Sequence, residues 1–108
     1  MITDEELKEI ELRCSEAQNG PWKASIENRD HESGNSFIMT GEGANRGDDI
    51  EVLGATNADF DFIANAKQDI PRLINEIRLL KGIIKQANYL INLIQLIQPF
   101  NNFHYFCI

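Results

Sequence analysis

Residues 71–97 read PRLINEIRLLKGIIKQANYLINLIQLI. Leu73, Ile77, Leu80, Ile84, Ala87, Ile91 and Ile94 follow one another at alternating intervals of four and three. That is the a/d seam of a helix built to pack lengthwise. A second stripe, Leu79, Ile83, Leu90, Leu93 and Ile97, runs beside the first. Pro71 fits only the first turn of a helix and Pro99 ends one, so a long helix is expected over residues 71–98. About 27 residues at 1.5 Å each give roughly 40 Å. A small sheet of ~17–20 Å strands cannot cover that length. The far half should therefore pack on another copy of the chain. After it comes an aromatic tail, residues 99–108, with Phe100, Phe103, Tyr105 and Phe106, which would be costly to leave in water.

Upstream of Asp69-Ile70-Pro71, which reads as a break or kink, lies a second helical stretch, residues 56–70. Either Thr56 or Asn57 can cap it, and it carries Phe60, Phe62, Ile63 and Ala66. Residues 21–54 read as strands. Trp22, Ala24 and Ile26 alternate with Lys23, Ser25 and Glu27; Ser36 to Thr40 and Ile50 to Leu53 supply two more extended runs. The polar turn Asn28 to Asn35 and the glycine-rich loop Gly41 to Asp49, read as flexible, are too short for parallel crossovers, so a three-stranded antiparallel meander is expected. Residues 1–20 begin with a capping box, Thr3 with Glu6, and a hydrophobic staple, Ile2 with Leu7. Leu7, Ile10, Cys14 and Ala17 then form a narrow apolar stripe, and Asn19-Gly20-Pro21 should end the helix with Gly20 as its left-handed cap. The fold class is α+β in a single domain, 1–108: an N-terminal helix, a small three-stranded antiparallel sheet, and a long C-terminal helical segment used for oligomerisation.

The chain has 108 residues, 43% of them hydrophobic and 25% charged, which argues against disorder and leaves no room for a separate cofactor domain. Its net charge of -7 is unevenly spread. All seventeen carboxylates lie at or before Glu76, with seven of the ten basic residues; Arg78, Lys81 and Lys85 follow without an acid. An acidic body repels phosphate chains, which argues against general nucleic-acid binding. It also serves solubility. MITDEELKE at the start lacks the pattern of a signal peptide. Ile83 to Ile97 is too short for a membrane span and is interrupted by Lys85, Gln86, Asn88, Asn92 and Gln95. A cytoplasmic protein with reduced cysteines, Cys14 and Cys107, is expected.

Little chemistry announces itself. Asp30-His31-Glu32 could offer metal ligands, but consecutive residues rarely converge on one ion, so a solvated turn is the simpler reading. Gly41 to Gly47 looks like a phosphate loop, yet a strand rather than a helix should follow it, so a hairpin loop is preferred. Arg46 remains a cation able to approach a ligand. Trp22 either anchors the first strand or stacks on a base. Asn65 and Arg72, seven apart, would share a helix face near Lys67; that face is either plain wet surface or a place where Asn reads a base edge and Arg grips phosphate.

Two blocks resemble a widespread group of small phage and prophage proteins. One is Arg13-Cys14, Ala17 and Gly20-Pro21-Trp22. The other is Phe62-Ile63-Ala64-Asn65-Ala66-Lys67, Asp69-Ile70-Pro71, Leu73-Ile74, Glu76-Ile77 and Leu80. The resemblance covers roughly residues 7–81. The chain departs from it at Lys67, where the group often has Arg, and after Lys81. Most of that group has no assigned activity. The layout, a small sheet with long C-terminal helices, is also similar to the anti-Thoeris sponge proteins, which hold cyclic ADP-ribose isomers, and in some cases cyclic oligonucleotides, between subunits without cutting them. That likeness implies a non-enzymatic homo-oligomer in an infected bacterial host, needing no cofactor or metal, that sequesters a small signalling nucleotide. Trp22 or Phe62 would stack the base, Asn65 would read its edge, and Arg46, Lys67 and Arg72 would hold phosphates. The rival expectation is a protein-binding inhibitor or adaptor whose acidic body mimics nucleic acid. A small hydrolase lacks a visible nucleophile or metal set.

Overall fold

The computed structural model describes the backbone of residues 1–101 and the side chains of residues 1–97. The order of elements is helix α1 (Asp4–Glu16), strands β1 (Trp22–Ser25) and β2 (Phe37–Thr40), a one-turn 3-10 helix (Gly43–Asn45) and helix α2 (Asn57–Asn101). The architecture is α+β. The aromatic tail expected over residues 99–108 lies outside the described side chains, and from residue 102 outside the described backbone as well. By compactness the chain divides into two units, Met1–Ile74 and the residues from Asn75 onward.

α1 starts as its sequence dictates. The Thr3 hydroxyl accepts from Glu6 N at 3.1 Å, and the Glu6 carboxylate accepts from Thr3 N at 3.2 Å. Asp4, Glu5 and Glu6 sit at the positive end of the helix dipole. The end expected at Asn19-Gly20-Pro21 is corrected: the helix stops at Glu16, Ala17 turns extended, and Gly20 does not adopt the left-handed cap. The extended exit carries Gln18 to the sheet instead, as described below. The Gly20–Pro21 peptide is cis.

β1 and β2 pair antiparallel with Trp22 opposite Thr40 and Ser25 opposite Phe37. The third strand expected at Ile50 to Leu53 is not formed. Its pairing shrinks to one antiparallel bridge, Ile38 with Ile50, whose two N–H···O bonds measure 2.8 and 2.9 Å. The physical reason lies upstream. Asp48 N donates to Gln18 Oε1 at 3.0 Å, and Thr40 O is taken by Gly47 N at 2.8 Å and by the Arg46 guanidinium at 3.2 Å. On that side the groups that would extend the ladder are spent on the Gln18 and Arg46 side chains and on the Gly47 N–H. Downstream, a turn at Leu53–Gly54, with Gly54 at φ +79°, leads the chain away.

The loop read as flexible is likewise corrected. It holds the 3-10 turn, and Arg46 binds Thr40 O, Gly47 O and the Asp49 carboxylate. Gly41 makes the turn possible: its φ is +66°, and a Cβ there would meet Asn45 O at 2.0 Å.

α2 is capped by Thr56, whose hydroxyl accepts from Asp59 N at 3.1 Å while Asp59 accepts from Thr56 N at 2.9 Å. The break expected at Pro71, separating helices 56–70 and 71–98, is absent, and the helix also continues past Pro99. Pro71 removes one backbone bond, but Ala64 and Ile74, buried on either side of it, hold both flanks against the rest of the unit. Tertiary burial outweighs the local cost.

The core of Met1–Ile74 joins Ala24, Ile26 and Ile38 of the sheet region to Phe60 and Ala64 of α2, with Trp22, Ile50, Val52, Ala55 and Ile63 packed around them. Ile26 and Ile38 are 1% and 0% exposed, and each contributes about 1.5–3 kcal/mol of burial. Arg29 ties the polar turn to α2 through a bidentate pair with Asp61, at 2.8 and 3.0 Å, and also binds Asp30. Asp30 in turn accepts from Ile26 N at 2.8 Å. Among the described side chains of the second unit every large apolar one is at least partly exposed, including Leu80, Ile84, Ile91 and Ile94 of the seam.

Two outcomes follow. Gly41→Ala should lower stability by about 1–3 kcal/mol, read from denaturant midpoints, because it combines a positive φ with a backbone clash. The Arg29 hydrogen bonds hold the Asp30 and Asp61 carboxyls below the usual carboxylate range. Lowered folded-state values stabilise the protein above the ordinary pKa near 3.8, and this contribution is lost as pH falls through the depressed values. The melting temperature should therefore drop below about pH 4. Arg29→Met should flatten that part of the profile while lowering the plateau.

Candidate functional site

The stripe on α1 and one face of α2 enclose a groove of about 410 Å³. Ile10, Arg13, Cys14 and Ala17 form one wall, and Phe62, Ile63, Ala66, Lys67 and Ile70 form the other. Trp22 closes the end. The two sequence blocks quoted above thus meet at one place, although Cys14 and Lys67 are 53 positions apart. Most of the lining is apolar; Arg13 and Lys67 supply its positive charge.

Lys67 is held by a helix end. α1 stops at Glu16, so the Cys14 carbonyl has no donor in the next turn. Lys67 Nζ donates to it at 2.5 Å, placing a cation at the negative end of the α1 dipole. The same ammonium lies 5.6 Å from the Trp22 ring centroid, within cation–π range. An ammonium has three donors, so this arrangement leaves capacity for a ligand.

Trp22 is fixed more tightly still. Its indole N–H donates to Gln18 O at 3.0 Å. Its backbone N–H donates to Gln68 Oε1 at 2.7 Å, and its carbonyl accepts from Gln68 Nε2 at 3.0 Å. Gln68 therefore pairs with the edge of β1 as another strand would, and it also donates to Ala64 O at 3.2 Å. Gln18 does similar work at the same end of β2: its Oε1 lies 3.0 Å from both Asp48 N and the hydroxyl of Thr40, which is fully buried. No sequence signal marks Gln18 or Gln68, since an isolated glutamine fits any wet helix face. Arg13 and Cys14 stood in the quoted blocks without being read as site residues.

Of the six residues singled out from the sequence, Trp22, Phe62 and Lys67 line the groove. Phe62 is 77% exposed. The others do not line it. Arg46 is engaged in its own loop. Asn65 is exposed and donates to Asp61 O at 2.8 Å, one turn back on its own helix. Arg72 is exposed on α2 beyond the groove. A larger open depression, about 510 Å³, lies between residues 35–36 and 51–57, and its one charged side chain is Glu51. It suits an anion poorly. His31 sits elsewhere: Nδ1 accepts from Ser33 N at 3.1 Å, so Nε2 carries the proton shared with Ser25 O at 3.3 Å. Among the described residues, no three of His, Cys, Asp and Glu gather as a metal site, and no helix is long and apolar enough to cross a membrane.

Gln68→Glu keeps the shape but loses the donor to Trp22 O. It should cost about 1–3 kcal/mol and shift the Trp22 emission, whereas Asn65→Asp should leave both near the wild-type values. No protein-family model, no curated protein and no solved structure matches the chain.

Proposed function

We propose that this chain is a non-enzymatic binding protein that sequesters a small signalling nucleotide, of the cyclic ADP-ribose type or a cyclic oligonucleotide, in the cytoplasm of an infected bacterial host. One observation carries the reading: an apolar groove with two aromatic side chains, Trp22 and Phe62, and two cations, Arg13 and Lys67. A planar base stacks on the aromatics for about 1–3 kcal/mol. Phosphate oxygens meet the ammonium and the guanidinium. The groove's volume falls within the usual range for small-molecule sites, roughly 300–1,000 Å³. Its ionisable groups are two cations and the Cys14 thiol, which suit holding an anion better than activating water. Arg46, Asn65 and Arg72, which the sequence also offered as ligand contacts, stand outside the groove, and Arg13 takes their place. The acid-rich stretch up to Glu76 supports a second reading, a protein-binding inhibitor or adaptor whose carboxylates mimic nucleic acid.

Trp22 is the only tryptophan, so its fluorescence reports on the groove directly. Titration with cyclic ADP-ribose isomers should quench it saturably, and heating should release the ligand unchanged. Phe62→Ala and Lys67→Met should each weaken binding by about 5- to 100-fold in calorimetry. No response to these isomers or to cyclic oligonucleotides at millimolar concentration would overturn the nucleotide reading. A stable complex with a basic partner protein would then support the second.

A further inference from the structure

We propose that the segment from Glu76 to Ile97 assembles with copies of itself into a parallel bundle of at least three helices. The inference does not depend on what the groove binds. It rests on where each side chain falls around the helix. With Ile77, Ile84 and Ile91 at position a, the d positions are Leu80, Ala87 and Ile94. The g positions are also apolar: Ile83, Leu90 and Ile97, exposed by 54%, 52% and 53%. Leu79 and Leu93 extend the face through c. At 100° per residue the arc from c through g and d to a spans about 160°. The b and e positions on the other side hold Arg78, Lys85 and Asn92, then Lys81, Asn88 and Gln95.

A two-stranded coil buries a and d and leaves g at the rim. It would keep three large aliphatic side chains half in water on every copy. Covering g and c requires a second neighbour on that flank, so each helix touches two others and the assembly closes at three or more.

Charge specifies the occupant and its direction. In a parallel pair, g of one helix lies beside e of the next heptad on its neighbour. Glu76 is the only acid in the segment and occupies g, and Lys81 is the only basic residue at e. Five positions apart, they meet between copies. An antiparallel pair centred on Ala87 instead sets Lys81 opposite Leu93 and Glu76 opposite an uncharged glutamine, Gln98. Arg78 and Lys85, at b, stay outside the seam of the bundle.

Light scattering on the full chain tests this. A mass at least three times 12.3 kDa is expected at micromolar concentration. A monomer or a dimer would overturn the proposal, including the case where a different partner covers the face. Ile84→Glu, at a, should dissociate the assembly to monomers that keep the Trp22 emission of the folded first unit, and Lys85→Glu, at b, should not. Glu76→Lys should weaken association several-fold, and adding Lys81→Glu should restore it. Failure of that rescue would sink the parallel arrangement. Because the groove's fluorescence titration is a separate readout, losing the bundle and losing the ligand are distinguishable.

Discussion

A two-stranded sheet has too little pairing to stand alone, and here each strand is finished by a glutamine. Gln68 meets both backbone groups of Trp22, and Gln18 meets Thr40 and Asp48. The Gln68 amide suits this because it donates and accepts in one plane, as a peptide does, whereas Gln18 uses its oxygen for both of its contacts. The joining of helices and sheet in the first unit depends on these two contacts. They hold β1 on α2, bring the end of α1 to β2, and fix Trp22 at the end of the groove. Gln18 also blocks one side of the Ile38–Ile50 bridge, because the Asp48 N–H that would extend it is already committed.

Much of this was legible in the residues. The capping box at Thr3, a cap at Thr56 or Asn57, the alternation through Trp22, Ala24 and Ile26, and the turn at Asn28 all reflect local chemistry, which short stretches encode directly. What misled was also local. Pro71 reads as a break because the lost hydrogen bond is visible in sequence and the burial of Ala64 and Ile74 beside it is not. Glycines at 41, 43 and 47 suggest looseness, yet Arg46 ties that loop through three acceptors. Long-range side-chain-to-backbone bonds leave no periodic trace, so Gln18, Gln68 and the Lys67–Cys14 contact were invisible.

The candidate site shows the same division. Residues flagged for aromatic or cationic character separate according to whether their polar ends have local partners. Arg46 and Asn65 find theirs within a few residues and stay at home. Lys67 finds its partner on another helix, and that places it where two elements meet. Exposed Phe62 stands beside it because its helix face is set by buried Phe60 and Ala64.

The Lys67 contact has a consequence for motion. The Cys14 carbonyl's bond from Lys67 and the Gln18 carbonyl's bond from the indole both hold only while the end of α1 stays against α2 and Trp22, so fraying of the last turn of α1 must break the two together. The helix terminus, the groove mouth and the start of β1 should then open as one cooperative unit rather than as three loose ends. Slow amide exchange would extend over Gln18 to Gly20, a stretch with no regular secondary structure ahead of β1.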